Sequence, residues 1–310
     1  MADRDPTGPD PAATVAEWEA AGTRVAVADH EVWTARFAAT DPAAAAANPP
    51  LLALHGFPTC SFDWRPVLPA LRAERDVIVV DVVGFGLSDK PDQRYSLRGY
   101  AEGVEAIAAH HGLVEVDLLT HDMGDSIGGE LLARSLEGAL RFDVRRRVLT
   151  NGSIYIDMAQ LTVGQQLLLG LPDAREDLVG ADGGAGFRGG VVGTFAEGAV
   201  VDDHELDGLV QLAVREEGLS LLPRTIRYIE DRRAEERRFT GAIEDHPSPI
   251  GVVWGDQDPV AVHAMAERFV GVRSGAPLIT LDGVGHYPML EAPERFAAAV
   301  LHLLDDELAS

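Results

Sequence analysis

The chain has 310 residues, 46% of them hydrophobic, which suits one α/β domain with an inserted subdomain and a well-buried core. With 26 basic against 50 acidic residues its formal net charge is -24, which argues against nucleic acid or an anionic membrane surface as a partner. A single cysteine, Cys60, excludes an intramolecular disulfide framework, and no Cys/His cluster has metal-ligand spacing.

The first residues, Met1 to Pro6, are polar and acidic, and residues up to about Ala20 are rich in Pro, Ala and Asp, which predicts a flexible tail over residues 1–20. Arg24 to Ala28 and Glu31 to Phe37 alternate like two antiparallel strands with their turn at Asp29-His30. The Ala/Pro stretch Thr40 to Pro50 reads as a loop. Leu51 to Leu54 and Val77 to Val80 are continuous apolar runs, the signature of parallel strands buried on both faces, and Trp64 to Arg75 between them has helical spacing. This βαβ rhythm continues through a helix over Leu97 to His111, a strand over Val114 to Thr120, a helix over Asp125 to Leu136 and a strand over Arg147 to Thr150.

The rhythm then breaks. Residues 154–242 contain helical segments such as Met158 to Leu169 and His204 to Glu217, interrupted by the glycine-rich stretch Gly180 to Gly186, and no convincing strand. This block is expected to form a helical cap over the sheet's C-terminal edge, with residues 21–153 and 243–310 as the core domain. Strands resume at Ile250 to Trp254 and at Leu278 to Leu281.

Ligands in open α/β sheets bind beyond the carboxyl ends of the strands, so the loops there carry the chemistry. His55-Gly56-Phe57-Pro58-Thr59 follows the first parallel strand; the Phe57 amide is expected to point at a developing oxyanion, and His55 to hold the loop. The acids of Asp81 to Pro91 read as loop braces, with Phe85 facing the pocket. Substrate is expected to meet His55, Pro58, Phe85 and Trp64. In Leu118 to Gly129 a buried strand runs through a tight turn into a helix, the setting of a nucleophile elbow. Two registers compete there: Thr120-His121-Asp122-Met123-Gly124 centres on Asp122, and Gly124-Asp125-Ser126-Ile127-Gly128 matches the serine form G-x-S-x-G. Ser126 falls a helical turn inside the following helix, which favours Asp122, with His121 as a spacer bracing the turn. Gly255-Asp256-Gln257-Asp258-Pro259 supplies an acid, taken to be Asp258 with Asp256 bracing the turn, and Gly283-Val284-Gly285-His286-Tyr287-Pro288 supplies a histidine. Nucleophile, acid, histidine is the α/β-hydrolase chain order.

From about Arg24 to Leu304 the chain resembles the α/β-hydrolase superfamily. His55-Gly56-Phe57-Pro58, Asp122, Asp258 and His286 look like the epoxide hydrolase and haloalkane dehalogenase group. Gly84-Phe85-Gly86-Leu87-Ser88-Asp89-Lys90-Pro91, His121 to Asp125, Asn151-Gly152 and Gly285-His286-Tyr287-Pro288 are similar to the branch containing the mesoderm-specific transcript protein. The resemblance implies a mostly parallel sheet with an inserted helical cap. It also implies an aspartate nucleophile, Asp122, that forms an alkyl-enzyme ester, which a water activated by His286 and Asp258 cleaves, with the amides of Phe57 and Met123 as oxyanion hole. Dehalogenases of this group grip halide with a tryptophan directly after the nucleophile, where this chain has Met123. Epoxide hydrolases protonate the opening oxygen from cap tyrosines, for which Tyr228 and Tyr155 are the candidates. The expected activity is therefore conversion of an epoxide to a vicinal diol. Haloalkane or ester hydrolysis, and a non-catalytic ligand-binding protein of the same fold, are the alternatives. The expected partners are a small apolar substrate and water, without metal, cofactor, nucleic acid or membrane. The chain is expected to be cytoplasmic and a monomer or homodimer.

Overall fold

A computed structural model describes residues 10–305. Eight strands form one sheet: β1 (Thr23–Val27), β2 (His30–Phe37), β3 (Leu51–Leu54), β4 (Val77–Val80), β5 (Glu115–His121), β6 (Asp143–Thr150), β7 (Ile250–Gly255) and β8 (Leu278–Leu281). Their order is β1-β2-β4-β3-β5-β6-β7-β8. β1 and β2 pair antiparallel through a turn at Ala28 and Asp29, one residue earlier than Asp29-His30, with Ala28 at φ 51°. From β4 to β8 all pairing is parallel. β3 and β4 are buried along their whole length, as sheet strands covered on both faces must be.

The N-terminal segment departs from the expected tail. Residues 1–9 lie outside the described region, but Pro11–Ala20 is a helix capped by the Asp10 carboxylate, which accepts from the Ala12 amide at 3.0 Å. It is held by Trp18, which is buried and packs against Trp33, Phe37 and Phe62 at centroid distances of 5.6, 5.3 and 5.4 Å. Val15 and Trp18, three residues apart, face the same way. A proline at position 66 shortens the helix expected over Trp64 to Arg75 to a 3₁₀ turn, Ser61–Val67, and one α turn, Leu68–Leu71.

Between β6 and β7 lie helices Val163–Gly170, Ala185–Val192, Asp203–Val214 and Tyr228–Ala234, in the interval expected to form the cap. The last helix of this interval, Glu236–Asp245, runs beyond residue 242 and packs on the core helix Met123–Leu136: a Cβ on Gly129 would meet the Phe239 carbonyl oxygen at 2.8 Å, and Arg238 pairs with Glu130 and Glu137. That helix thus packs with the core rather than over the sheet's edge.

Candidate active site

β5 ends at His121, and the next residue turns the chain sharply into helix Met123–Leu136: Asp122 has φ 51° and ψ -114°. A non-glycine residue holds such a conformation only where its surroundings over-determine it. The turn is pressed against the loop after β3. A Cβ at Gly124 would meet the Leu54 carbonyl oxygen at 2.4 Å, and one at Gly56 would meet the Asp122 Cβ at 2.5 Å, so both positions require glycine. Ser126 lies inside the helix, buried.

The Asp122 side chain is 2% exposed. Its Oδ2 accepts from the Phe57 amide at 2.8 Å and its Oδ1 lies 3.8 Å from His286 Nε2. The other ring nitrogen, Nδ1, is 2.8 Å from Asp258 Oδ2. Asp258 is held in turn by the Val260 and Ala261 amides on Oδ1, at 2.7 and 2.9 Å, and by Asn151 Nδ2 on Oδ2 at 2.7 Å. Burial by itself would lower the His286 pKa, but the charge and hydrogen bond of Asp258, with Asp122 and Glu291 behind them, raise it to about 9. His286 thus lies between the carboxyl groups of Asp258 and Asp122, which favour its protonated form. Met123 is buried, and its amide opens the helix, where N–H groups have no intrahelical acceptor.

A cavity of about 320 Å³ lies between the loops after the strands and the helices of the β6–β7 interval. Phe57, Pro58, Val260, His286 and Tyr287 form its floor, and Leu168, Leu171, Phe187, Val191, Leu219 and Leu222 of the cap interval enclose it. Tyr228 is buried with its ring 5.9 Å from that of Phe57. Burial pushes its phenol pKa up, the charge of Asp122 adds to this, and Arg232 opposes it.

Tyr155 requires a correction. Its hydroxyl donates to Glu244 Oε1 at 2.9 Å and its ring is covered by Arg268, so it faces away from the cavity. Trp64 is fully buried, stacked near Phe296 at 6.3 Å, and His55 bridges Gly56 and the Val82 amide; neither lines the cavity, and both brace the scaffold. Phe85 lines a separate small cleft with Pro58 and Lys90. Asp81 accepts from the Ser61 and Leu87 amides, Asp256 from the Gly283 amide, and His121 Nε2 donates to the His286 carbonyl at 2.8 Å; these residues brace their loops.

The profile described as the alpha/beta hydrolase family matches residues 51–299. The chain belongs to the alpha/beta hydrolase family. It is 41% identical to the putative hydrolase LipZ of Mycobacterium tuberculosis over 263 residues, 84% of this chain and 89% of that protein. It is 31% identical to the mesoderm-specific transcript homolog protein of Bos taurus over 261 residues, 81% of this chain and 77% of that protein. A haloalkane dehalogenase loop variant, DbeA-M1 from Bradyrhizobium elkanii, superposes with a TM-score of 0.73 at 20% identity, covering 91% of this chain and 95% of that one, a likeness of fold.

Two residues of this alpha/beta hydrolase escaped functional assignment from sequence. Asn151 sits at φ 46° at the end of β6, donating to Asp258 and to the Gly285 carbonyl and accepting from the Gly255 amide, so it ties the acid and histidine loops together. An Asn-Gly pair after an apolar strand is the signal that marks it, since asparagine tolerates the left-handed region. Glu291 accepts from the amides of Gly285, Tyr287 and Ala196 at 2.8, 3.0 and 2.8 Å, fixing the histidine loop to the cap interval. Nothing in its sequence context distinguishes it from a surface glutamate.

Proposed function

We propose that this hydrolase opens epoxides to vicinal diols through an ester on Asp122. The observation that carries the reading is a carboxylate, rather than a hydroxyl, at the strained turn after β5, within 3.8 Å of His286 Nε2. A carboxylate attacks an sp³ carbon, and the resulting ester is hydrolysed by a water that gives its proton to His286, with Asp258 orienting the ring. The amides of Phe57 and Met123 hold the oxyanion that develops on the Asp122 carbonyl. Tyr228, buried beside Phe57, supplies the proton that the opening oxygen needs. The apolar lining favours an apolar substrate. Met123 follows the nucleophile where the dehalogenases carry a tryptophan, so that part of the indole cradle has no counterpart here.

Turnover of a panel of aryl and alkyl epoxides in heavy-oxygen water, followed by mass spectrometry of the elbow peptide, tests the mechanism. Label is expected in Asp122 after repeated turnovers. Turnover that leaves the peptide unlabelled refutes the ester, and halide release from haloalkanes without epoxide opening moves the assignment to a dehalogenase.

A further inference from the structure

Arg232 lies one helical turn after Tyr228 on helix Tyr228–Ala234, so its side chain reaches back over the tyrosine. It is 2% exposed, its Cζ is 5.6 Å from the centroid of the Tyr228 ring, and its Nε and Nη1 have no hydrogen-bond partner among the described residues. The acids beside it are engaged elsewhere: Asp231 with Arg94 and the Leu97 amide, Glu230 with Arg227 and Arg94. No described carboxylate lies within ion-pair distance of Arg232. A buried guanidinium without a counter-ion is costly, and a packing role would be served better by methionine or leucine. The cation is thus held where a negative charge is missing at rest, beside a phenol whose ring stands 5.9 Å from that of Phe57 and that feels the charge of Asp122.

We propose that Arg232 is a positioning residue that acts through Tyr228, stabilising the phenolate that appears when Tyr228 protonates the opening epoxide. This rests on the reading of the site given above. As an Asp122 oxygen bonds to the epoxide carbon, the C–O bond breaks and its electron pair passes to the ring oxygen. That oxygen takes the Tyr228 proton, and the O–H pair stays on the phenol oxygen, as a negative charge delocalised into the ring that Arg232 covers. The phenolate is reprotonated from the His286 imidazolium, whose hold on its proton weakens once Asp122 is esterified and neutral.

Single-turnover kinetics on an epoxide that the wild-type protein opens, with ester formation and ester hydrolysis resolved by rapid quench and intact-protein mass, test this. Arg232→Met is expected to slow ester formation about tenfold, the range of a desolvated cation–aromatic contact, and to leave ester hydrolysis unchanged. Arg232→Lys, which keeps the charge, is expected to restore most of the rate. In a Tyr228→Phe background, Arg232→Met should cause no further loss, because the group it acts on is gone. Equal slowing of both half-reactions, or a full loss on top of Tyr228→Phe, overturns the inference in favour of a structural role. If Tyr228→Phe slows ester formation while Arg232→Met does not, the Arg232 assignment alone falls. If Tyr228→Phe is without effect, or the wild-type protein opens no epoxide, the reading of the site falls with it.

Discussion

Asp258→Asn removes a charge while keeping shape, and the structure dictates what must follow. Both carboxylate oxygens face donors: Val260 and Ala261 amides at Oδ1, Asn151 Nδ2 and His286 Nδ1 at Oδ2. An amide has only one acceptor oxygen, so its NH₂ must confront one of these pairs. Facing the two amides, it strands buried N–H groups at about 1–3 kcal/mol each. Facing His286, it donates to Nδ1 and moves the ring proton to Nε2, where the base must be bare. The charge also matters, because the rise of the His286 pKa to about 9 has Asp258 as its largest favourable cause. The expected outcome is a loss of roughly 10³–10⁴ in ester hydrolysis, the scale seen when a triad acid is replaced by its amide. Ester formation depends on Asp122 and the proton donor and should change far less. Rapid-quench intact-mass measurement should therefore show the alkyl-enzyme accumulating on the variant but not on the wild-type protein. Turnover within about tenfold of wild type, or equal slowing of both steps without an adduct, would refute the assigned role of Asp258.

His286 carries a pKa raised on folding, so its contribution to stability is complete below about pH 6.5 and is lost as pH climbs through about 9. The difference in unfolding free energy between the wild-type protein and His286→Gln should narrow across that window by on the order of 3 kcal/mol, and a pH-independent difference would contradict the imidazolium. Trp18→Ala should destabilise the chain by about 3–5 kcal/mol in urea unfolding, and a loss below about 1 kcal/mol would mean that helix Pro11–Ala20 does not pack as described. Ser126→Ala should leave turnover intact while Asp122→Asn abolishes ester formation; the reverse pattern would restore the serine register.

The sheet was legible because each strand announces itself locally. Leu51 to Leu54 and Val77 to Val80 are uniformly apolar, and strands buried on both faces have no other way to read. The order and spacing of Asp122, Asp258 and His286 were legible for a related reason: each lies on the loop or turn that follows a strand, so the chain order fixes which sheet edge it reaches. What failed was contact information. Tyr155 and Tyr228 look alike as cap-region tyrosines, and only the fold reveals that Glu244 takes the hydroxyl of one. Trp64 and His55 stand beside the right loops but point into the scaffold. Helix Pro11–Ala20 was hidden by a composition that mimics a linker, its one strong signal being the Val15–Trp18 spacing. Glu291 was invisible because the donors it accepts from are backbone amides, which carry no residue identity.

In the reaction proposed above, the charges of the site account for how His286, whose pKa its carboxylate neighbours raise to about 9, acts as a base near neutral pH. At rest it lies between Asp258 and Asp122, and both carboxylates favour its protonated form. In the proposed reaction, attack by Asp122 converts one of those carboxylates into a neutral ester, removing an attraction within 3.8 Å in a buried setting where charges are poorly screened. The imidazolium then releases its proton to the phenolate left on Tyr228, and the neutral ring that results can deprotonate water. The tetrahedral intermediate expels the diol oxygen, which takes that proton back, and Asp122 is left as a carboxylic acid carrying one oxygen from water. Its proton passes to His286 and restores the resting pair. The cycle consumes one epoxide and one water and needs no outside acid or base. It also makes ester formation itself the event that switches His286 from proton holder to base, so the base is idle until there is an ester to hydrolyse.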